Sequence, residues 1–241
     1  MGTVFRGVGD TPRMAGLDIE NMRYATTIPK KFSQIELRDI AVSILALSLA
    51  FLLMFRNTNF VTAYFKFYMG DLWAAGMFGM MVIIVILSFF THELGHKFTA
   101  QRMGLWSEYR MFPMGLLIAV FMSIFGFLFA APGVVYIRGY VDTEQDGKIS
   151  MAGPATNIIL AVIGLALALA LNGQPIMVPF YLLFILNASL ALFNLLPIGI
   201  LDGAKILRWN SWIWTMMIII AGVLFCLRMF GMLPEFGYSF R

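Results

Sequence analysis

The sequence predicts an all-α polytopic membrane protein of about five to six transmembrane helices, with a membrane-embedded re-entrant or β-containing segment among them. The chain is 60% hydrophobic and only 12% charged, whereas a soluble domain carries about 25% charged residues. Apolar runs long enough to cross a bilayer recur along its 241 residues. The net charge of +4 is small, and the basic residues cluster near the ends of the apolar runs. This pattern indicates contact with a lipid bilayer and argues against nucleic acid as a partner.

The apolar runs divide the chain into an arm and a membrane domain. Residues 1–39 mix Gly, Pro and both signs of charge, and we predict an N-terminal cytoplasmic arm there. Residues 40–241 are predicted to form a membrane-embedded domain with its core at 72–208. The predicted spans, in order, are 40–55, 72–102, 149–171 (opened by Gly153-Pro154), 176–196 and 212–230, with a further apolar run at 114–131. The predicted connections are a polar loop at 56–71, a loop at 97–113, a strand pair or loop at 134–149, a tight turn at 172–175 and a loop at 197–210.

Both histidines of the protein lie in the second predicted span, in His92-Glu93-Leu94-Gly95-His96. Helix positions four apart share a face, so the two imidazoles point to one place with Glu93 beside them. This is the zincin pattern, in which the histidines bind Zn²⁺ and the glutamate acts as general acid and base. Ionisable residues within a membrane helix are costly and usually mark function. The motif therefore predicts a metal site.

A catalytic zinc usually takes three protein ligands. No further histidine exists, and the one cysteine, Cys226, is isolated in the last span, so the third ligand is expected to be a carboxylate. Asp202 stands in an apolar stretch just beyond a span and is followed directly by Gly203, which makes it the candidate. The alternative is that Asp202 is an interfacial loop acid or the N-cap of a short helix.

Three motifs occur in a fixed order: His92-Glu-Leu-Gly-His96, then Gly153-Pro-Ala-Thr-Asn157, then Asn194-Leu-Leu-Pro197 followed by Leu201-Asp-Gly203. Together they resemble the site-2 protease family of intramembrane zinc metalloproteases, over roughly residues 72–208. The resemblance implies one Zn²⁺ per chain, held by His92, His96 and Asp202, with Glu93 as general acid and base. It also implies that Asn194 holds substrate or stabilises the oxyanion, and that the substrate is a transmembrane protein cut in or near its membrane segment.

The Gly-Pro motif looks structural rather than catalytic. Gly153-Pro154 is expected to begin a helix and to allow close packing against the helix that carries the histidines. Asn157, one turn later, is expected to form a hydrogen bond across helices and not to be catalytic.

A single metal site also constrains the topology. The His92–His96 motif and Asp202 both lie toward the C-terminal ends of predicted spans, so those ends must face one leaflet. If residues 114–131 crossed the bilayer, the histidine motif and Asp202 would lie on opposite sides of the membrane. We therefore predict that this Gly- and Pro-containing run folds back. The active-site side then holds all but four of the 17 Lys and Arg, which makes it cytoplasmic by the positive-inside rule. The four exceptions are Arg56, Lys66, Arg228 and Arg241.

Water and an unwound substrate are both needed for hydrolysis in a membrane, because a substrate helix hides its peptide bonds in its own hydrogen bonds. Our hypothesis is that the substrate pairs as an extended strand with an edge strand from residues 134–149 or from the fold-back.

Two other functions fit parts of this pattern. A different membrane zincin, acting on membrane-anchored C-termini, would share the histidine pair but usually takes a glutamate as its third ligand. The second is a non-catalytic metal-binding protein. A transporter of this kind would show more intramembrane His or Asp along a path, and an inactive protease would have lost Glu93. The sequence makes no prediction of an oligomeric state.

Overall fold

The computed structural model describes residues 32–56, 59–126, 132–174 and 176–229. Along these residues, nine α-helices and two β-strands follow one another, so the helical architecture is confirmed. In order they are α1 (Gln34–Phe55), α2 (Asn59–Met69), α3 (Trp73–Val85), α4 (Thr91–Arg102), β1 (Trp106–Met111), α5 (Pro113–Ile124), β2 (Gly133–Arg138), α6 (Thr143–Ala170), α7 (Met177–Asn194), α8 (Asp202–Trp209) and α9 (Ser211–Met229). A 3-10 turn (Gly70–Leu72) joins α2 to α3, and a π-helical turn (Ile86–Phe90) joins α3 to α4.

Within the described residues, four helical stretches are long and apolar enough to cross a membrane: Gln34–Phe55, Val61–Arg102, Thr143–Ala170 and Met177–Asn194. The apolar helices Pro113–Ile124 and Ser211–Leu227 are shorter. The fold class, a polytopic helical membrane protein with an inserted β-containing segment, is therefore as predicted.

The predicted polar loop at 56–71 is wrong, because most of it is the helix α2. Val61 and Phe65, four residues apart, are buried in the same apolar cluster as Met77 and Met81 of α3. Gly70 has a φ of 53° and lets the chain turn between the two helices. The polar residues scattered through this stretch led to the prediction of a loop, although its apolar residues lie on one face of a helix.

The fold-back of the apolar run at 114–131 is confirmed for its two ends. Strands β1 and β2 pair antiparallel with Met111 opposite Gly133, and the amide of Phe112 donates to the carbonyl of Pro132 at 2.8 Å. The intervening helix α5 has 12 residues, which is about 18 Å and too short for a core of about 30 Å. The chain thus leaves and re-enters the fold at one place. Residues 127–131 lie outside the described part of the run.

Helix α1 begins at Gln34, inside the predicted arm, and its first turns belong to the core. Glu36 is fully buried and both its oxygens contact the ammonium of Lys97, at 2.6 and 2.5 Å. The backbone amides of Tyr109 and Met111 on β1 donate to Glu36 at 2.9 Å and to Asp39 at 3.4 Å. Two carboxylates of α1 therefore cover the outer edge of β1, where a third strand would otherwise pair.

Lys97 was predicted to contribute to the positive charge of a cytoplasmic loop, and this is wrong. It lies on α4 with 1% of its surface exposed and pairs with Glu36. The rest of the predicted loop at 97–113 contains the end of α4 and the strand β1, which sequence patterns did not indicate.

Helix α6 begins earlier than predicted, at Thr143, where Asp142 and Gln145 form a capping box. Gly153-Pro154 consequently lies inside the helix and does not begin it. The predicted close packing at this point is confirmed: a Cβ on Gly95 of α4 would lie 2.9 Å from the carbonyl oxygen of Ala152.

Candidate metal and active site

Helix α4 carries His92, Glu93 and His96 on a buried face, with 5%, 8% and 8% of their surfaces exposed. The Nε2 atoms of the two histidines are 3.0 Å apart. Asp202, the first residue of α8, places its Oδ2 at 3.4 Å from His92 Nε2 and 3.2 Å from His96 Nε2. Within the described residues these three form the one cluster of three His, Cys, Asp or Glu side chains with metal-binding spacing.

The three donor atoms fit a zinc ion. A tetrahedral site with bonds of about 2.0–2.1 Å separates its ligand atoms by about 3.3–3.4 Å, close to the three distances observed here. Gly153 of α6 leaves the space in front of the imidazoles open, because a Cβ there would lie 2.6 Å from His92 Nε2 and nearer still to His96 Nε2. The role of this glycine at the site was missed from the sequence, where it was interpreted only as a packing residue.

The other ring nitrogen of each imidazole, Nδ1, also has a hydrogen-bond partner. His96 Nδ1 donates to the backbone carbonyl of Ile149 at 2.8 Å, because a carbonyl can only accept. His92 Nδ1 lies 2.6 Å from Oδ1 of Asn157. The expected hydrogen bond of Asn157 across helices is therefore confirmed, and it is made to one of the two histidines.

Asp202 reaches the histidines because α7 and α8 meet closely. A Cβ on Gly203 would overlap the carbonyl of Leu195, so only glycine allows this approach. The indole of Trp214 donates to the same carbonyl at 2.8 Å and closes the turn. Burial acts to raise the pKa of Asp202, but the facing imidazoles outweigh it and hold that pKa well below its usual range. The ionised carboxyl group is the form that binds a metal.

A cavity of about 550 Å³ opens over this cluster. Glu93 and Asn194 both line it, so the structure brings all five predicted site residues to one place. The side-chain amide of Asn194 donates to the carbonyl of Leu190 on its own helix at 3.0 Å. The other walls come from α1, α3, the π-helical turn, α6, β2, α7 and the segment before α8. Those from β2, α7 and the segment before α8 include Pro132, Gly133, Val134, Val135, Ile137, Leu186, Leu190, Ile198 and Ile200.

Two polar residues near the site were not singled out from the sequence. Lys205 lines the cavity, with its ammonium 3.9 Å from Asp146. Asn187 is fully buried on α7 and contacts Asn157. The sequence did hold an indication for Asn187, because an amide in the middle of an apolar span is costly unless it has a partner.

Comparison with known proteins agrees with this geometry. The family profile of peptidase family M50, the site-2 protease family, matches residues 80–178 and 174–227, which is more than half of the chain. The chain belongs to peptidase family M50. The matched region contains the histidine pair, Asn194 and Asp202.

Several relatives carry the name of a zinc metalloprotease. MJ0611 of Methanocaldococcus jannaschii is 36% identical over 187 residues, which is 76% of this chain and 89% of that protein. MJ0392 of the same organism is 28% identical over 133 residues, or 54% of this chain and 33% of that protein. YwhC of Bacillus subtilis is 32% identical over 150 residues, or 53% of this chain and 67% of that protein. No solved structure matches the chain significantly.

Membership of family M50 and these relatives identify the chain as a zinc metalloprotease of the site-2 protease type. The predicted zinc cofactor is confirmed, since the relatives are named for zinc and the chain holds a matching cluster of donors. Together with its apolar helices, the family also makes it a multi-pass integral membrane protein.

Proposed function

We propose that this M50 protease cuts peptide bonds in or near the transmembrane segments of membrane-tethered proteins. The observation that supports this most is the convergence of His92, His96, Asp202 and Glu93 on one cavity, walled by helices long enough to span a bilayer. A site walled by such helices is open to substrates that are themselves in the membrane.

The side chains divide the chemistry among them. His92, His96 and Asp202 would hold the zinc ion. When bound, zinc supplies Lewis acidity that lowers the pKa of water from 15.7 to about 7. Glu93 takes the proton of the attacking water and passes it to the leaving amine nitrogen. Asn194 turns its amide toward the carbonyl oxygen under attack and stabilises the charge that develops there.

Strand β2 is the surface along which the substrate lies in extended form. The amides of Tyr109 and Met111 point away from β2, toward α1. By the alternation of an antiparallel pair, their partners Val135 and Gly133, and Ile137 two residues further on, direct their own N–H and C=O groups away from β1. These three residues line the cavity. A substrate strand paired there exchanges its helical hydrogen bonds for ladder bonds next to Glu93.

The active-site side faces the cytoplasm in this proposal. With Lys97 removed from the count, the basic residues still favour that side, because the segments assigned to it carry Arg102, Arg110, Arg138, Lys148, Lys205 and Arg208. The turn at the other end of α6, around Asn172 and Gly173, carries no charge.

The experiment compares the purified parent protein with Glu93→Gln on a panel of single-span membrane proteins. We expect Glu93→Gln to retain one zinc per chain by elemental analysis and to lose cleavage by about 10²–10⁴-fold, the usual contribution of a general base. A chelator should abolish cleavage by the parent. Glu144→Gln, at an exposed position of α6, is the matched control and should cleave normally.

Two results would contradict the proposal. Normal cleavage by Glu93→Gln would refute the assigned chemistry. Full zinc retention by Asp202→Ala would refute the ligand set and favour a membrane zincin with a different third ligand.

A further inference from the structure

We infer that Asn157 is a positioning residue that sets the tautomer of His92, and that Asn187 and Ser88 set the orientation of Asn157. The inference rests on the proposed function in one respect, since it takes His92 as a zinc ligand. It adds to that proposal a chain of hydrogen bonds that presents the unprotonated Nε2 to the metal.

The network lies in the protein interior, and of its three side chains only Ser88 lines the cavity. Asn157 and Asn187 are fully buried and Ser88 is 1% exposed. Asn157 Nδ2 lies 2.8 Å from Asn187 Oδ1 and 3.0 Å from the carbonyl of Ser88. Asn187 Nδ2 lies 2.8 Å from Ser88 Oγ and 2.8 Å from the carbonyl of Leu183. The network joins α6, α7 and the π-helical turn that precedes α4.

Two backbone carbonyls determine the direction of every bond. The carbonyl of Leu183 can only accept, so the NH₂ group of Asn187 must face it, and its Oδ1 must face Asn157. The carbonyl of Ser88 likewise requires the NH₂ group of Asn157 on its side. Both amide protons of Asn157 are then used, one on Ser88 and one on Asn187.

Oδ1 of Asn157 is the atom that remains for His92, at 2.6 Å from Nδ1. An amide oxygen only accepts, so Nδ1 must carry the proton and Nε2 must present its lone pair to the metal position. The opposite tautomer would set the Nδ1 lone pair against Oδ1 in a buried place and would point an N–H at the metal. A bonded partner of this kind fixes both the tautomer and the ring orientation of a metal-binding histidine.

The two histidines are held by different means. His96 donates to a backbone carbonyl, which no side-chain substitution can remove. His92 depends on a side chain whose own orientation depends on two further residues. Asn157 and Asn187 do not line the cavity, so their action on the reaction passes through His92.

The test uses the purified full-length protein and measures zinc affinity by chelator competition, the absorption spectrum of the Co²⁺ form, and the thermal midpoint. Asn157→Leu and Asn157→Asp both remove the donors to Ser88 and Asn187. They differ in whether an oxygen still faces His92. Thr156→Val, on the same helix with its hydroxyl bonded to Gly153, is the control and should match the parent.

We expect Asn157→Leu to bind zinc about 10- to 100-fold more weakly, with an altered Co²⁺ spectrum. Asn157→Asp should keep the parent's zinc affinity and spectrum although its thermal midpoint falls, because its new oxygen meets the Ser88 carbonyl. Asn187→Leu, which alters no residue in contact with a histidine, should weaken zinc binding less than Asn157→Leu, because Asn157 then keeps its bond to the Ser88 carbonyl and loses only one of the two partners that orient its amide. Asn157→Ala replaces the leucine variant if that variant does not fold.

Equal zinc affinity in the Asn157→Leu and Asn157→Asp proteins would overturn the inference. So would zinc loss that follows the thermal midpoint alone across the series. His92→Ala separates this outcome from failure of the proposed function. If His92→Ala still holds one zinc per chain, the ligand assignment fails, whereas if it loses zinc while Asn157→Leu keeps parental affinity, only the role of Asn157 fails.

Discussion

Gly153 is the residue whose side chain, a single hydrogen, leaves the metal position open. The Cβ of an alanine there would lie 2.6 Å from His92 Nε2 and closer to His96 Nε2, so one or both rings must move. A displacement of about 1 Å at a reacting centre costs about 10²-fold in rate. We therefore expect Gly153→Ala to lower kcat/KM by about that factor and to weaken zinc binding, as measured by chelator competition.

Gly222→Ala provides the matched control for this substitution. Gly222 is also helical, on α9, and nothing lies within 4 Å of an added Cβ. Alanine should be neutral or slightly stabilising there. Parental zinc affinity in Gly153→Ala would show that the rings tolerate the methyl group and that the glycine serves packing alone.

Among the elements, α1 acts on the sheet through its buried acids. Glu36 neutralises Lys97 and accepts the amide of Tyr109, so its removal leaves a buried charge and a buried donor unpaired. Breaking a buried ion pair on one side costs about 3–5 kcal/mol. We expect Glu36→Ala to lower the thermal midpoint strongly, whereas Glu144→Ala, which breaks an exposed pair with Lys148, should cost at most about 1 kcal/mol.

The double variant Glu36→Leu with Lys97→Met separates charge from packing. Replacing both ions by apolar side chains removes the unpaired charge and is often neutral, so most of the lost stability should return. If the double variant is as unstable as Glu36→Ala, the pair is not what makes Glu36 important.

The proposed function directly uses the edge of β2 that faces away from β1, which pairs with no other strand among the described residues. Ile137→Pro removes an N–H that points away from β1, so the ladder between the strands keeps its bonds. Ile137→Ala shortens the same side chain and keeps the N–H. We expect the proline variant to lose at least about tenfold in cleavage of a membrane substrate, since a ladder bond to substrate is lost.

The alanine variant should retain most of its activity, and both variants should hold one zinc per chain. Equal cleavage by the proline variant and the parent would show that substrate does not pair with β2 at this position.

For the whole molecule, the distribution of charge predicts the orientation in the membrane. Helix α6 has 28 residues, a length of about 42 Å, and separates Tyr140, which is 88% exposed, from Asn172 in the uncharged turn. In a Cys226→Ser background, which removes the one native cysteine, Tyr140→Cys and Asn172→Cys mark the two sides. A membrane-impermeant maleimide on intact cells should label only Asn172→Cys.

Permeabilised cells are the control, in which both variants should be labelled. Labelling of Tyr140→Cys alone in intact cells would reverse the proposed orientation, and labelling of both would mean that α6 does not separate two compartments.

The sequence by itself predicted the apolar spans, the shared face of His92 and His96, and a carboxylate as the third donor, with Asp202 as the candidate. The helical period of 3.6 residues places the two histidines on one face. The chain has no other histidine, so the third ligand is expected to be a carboxylate. The fold-back at 114–131 could also be predicted, because a single metal site requires two distant helix ends to face one side.

Only the tertiary structure decided which polar residues are buried and what they contact. From the sequence, Glu36 was assigned to the arm and Lys97 to a loop. The two nevertheless form an ion pair although they are 61 positions apart in the chain. Asn157 and Asn187 belong to different spans, and the direction of their bonds depends on two carbonyls that no motif marks. Local sequence reports the preferences of a segment, whereas the partner of a buried polar group is set by which segments pack against it.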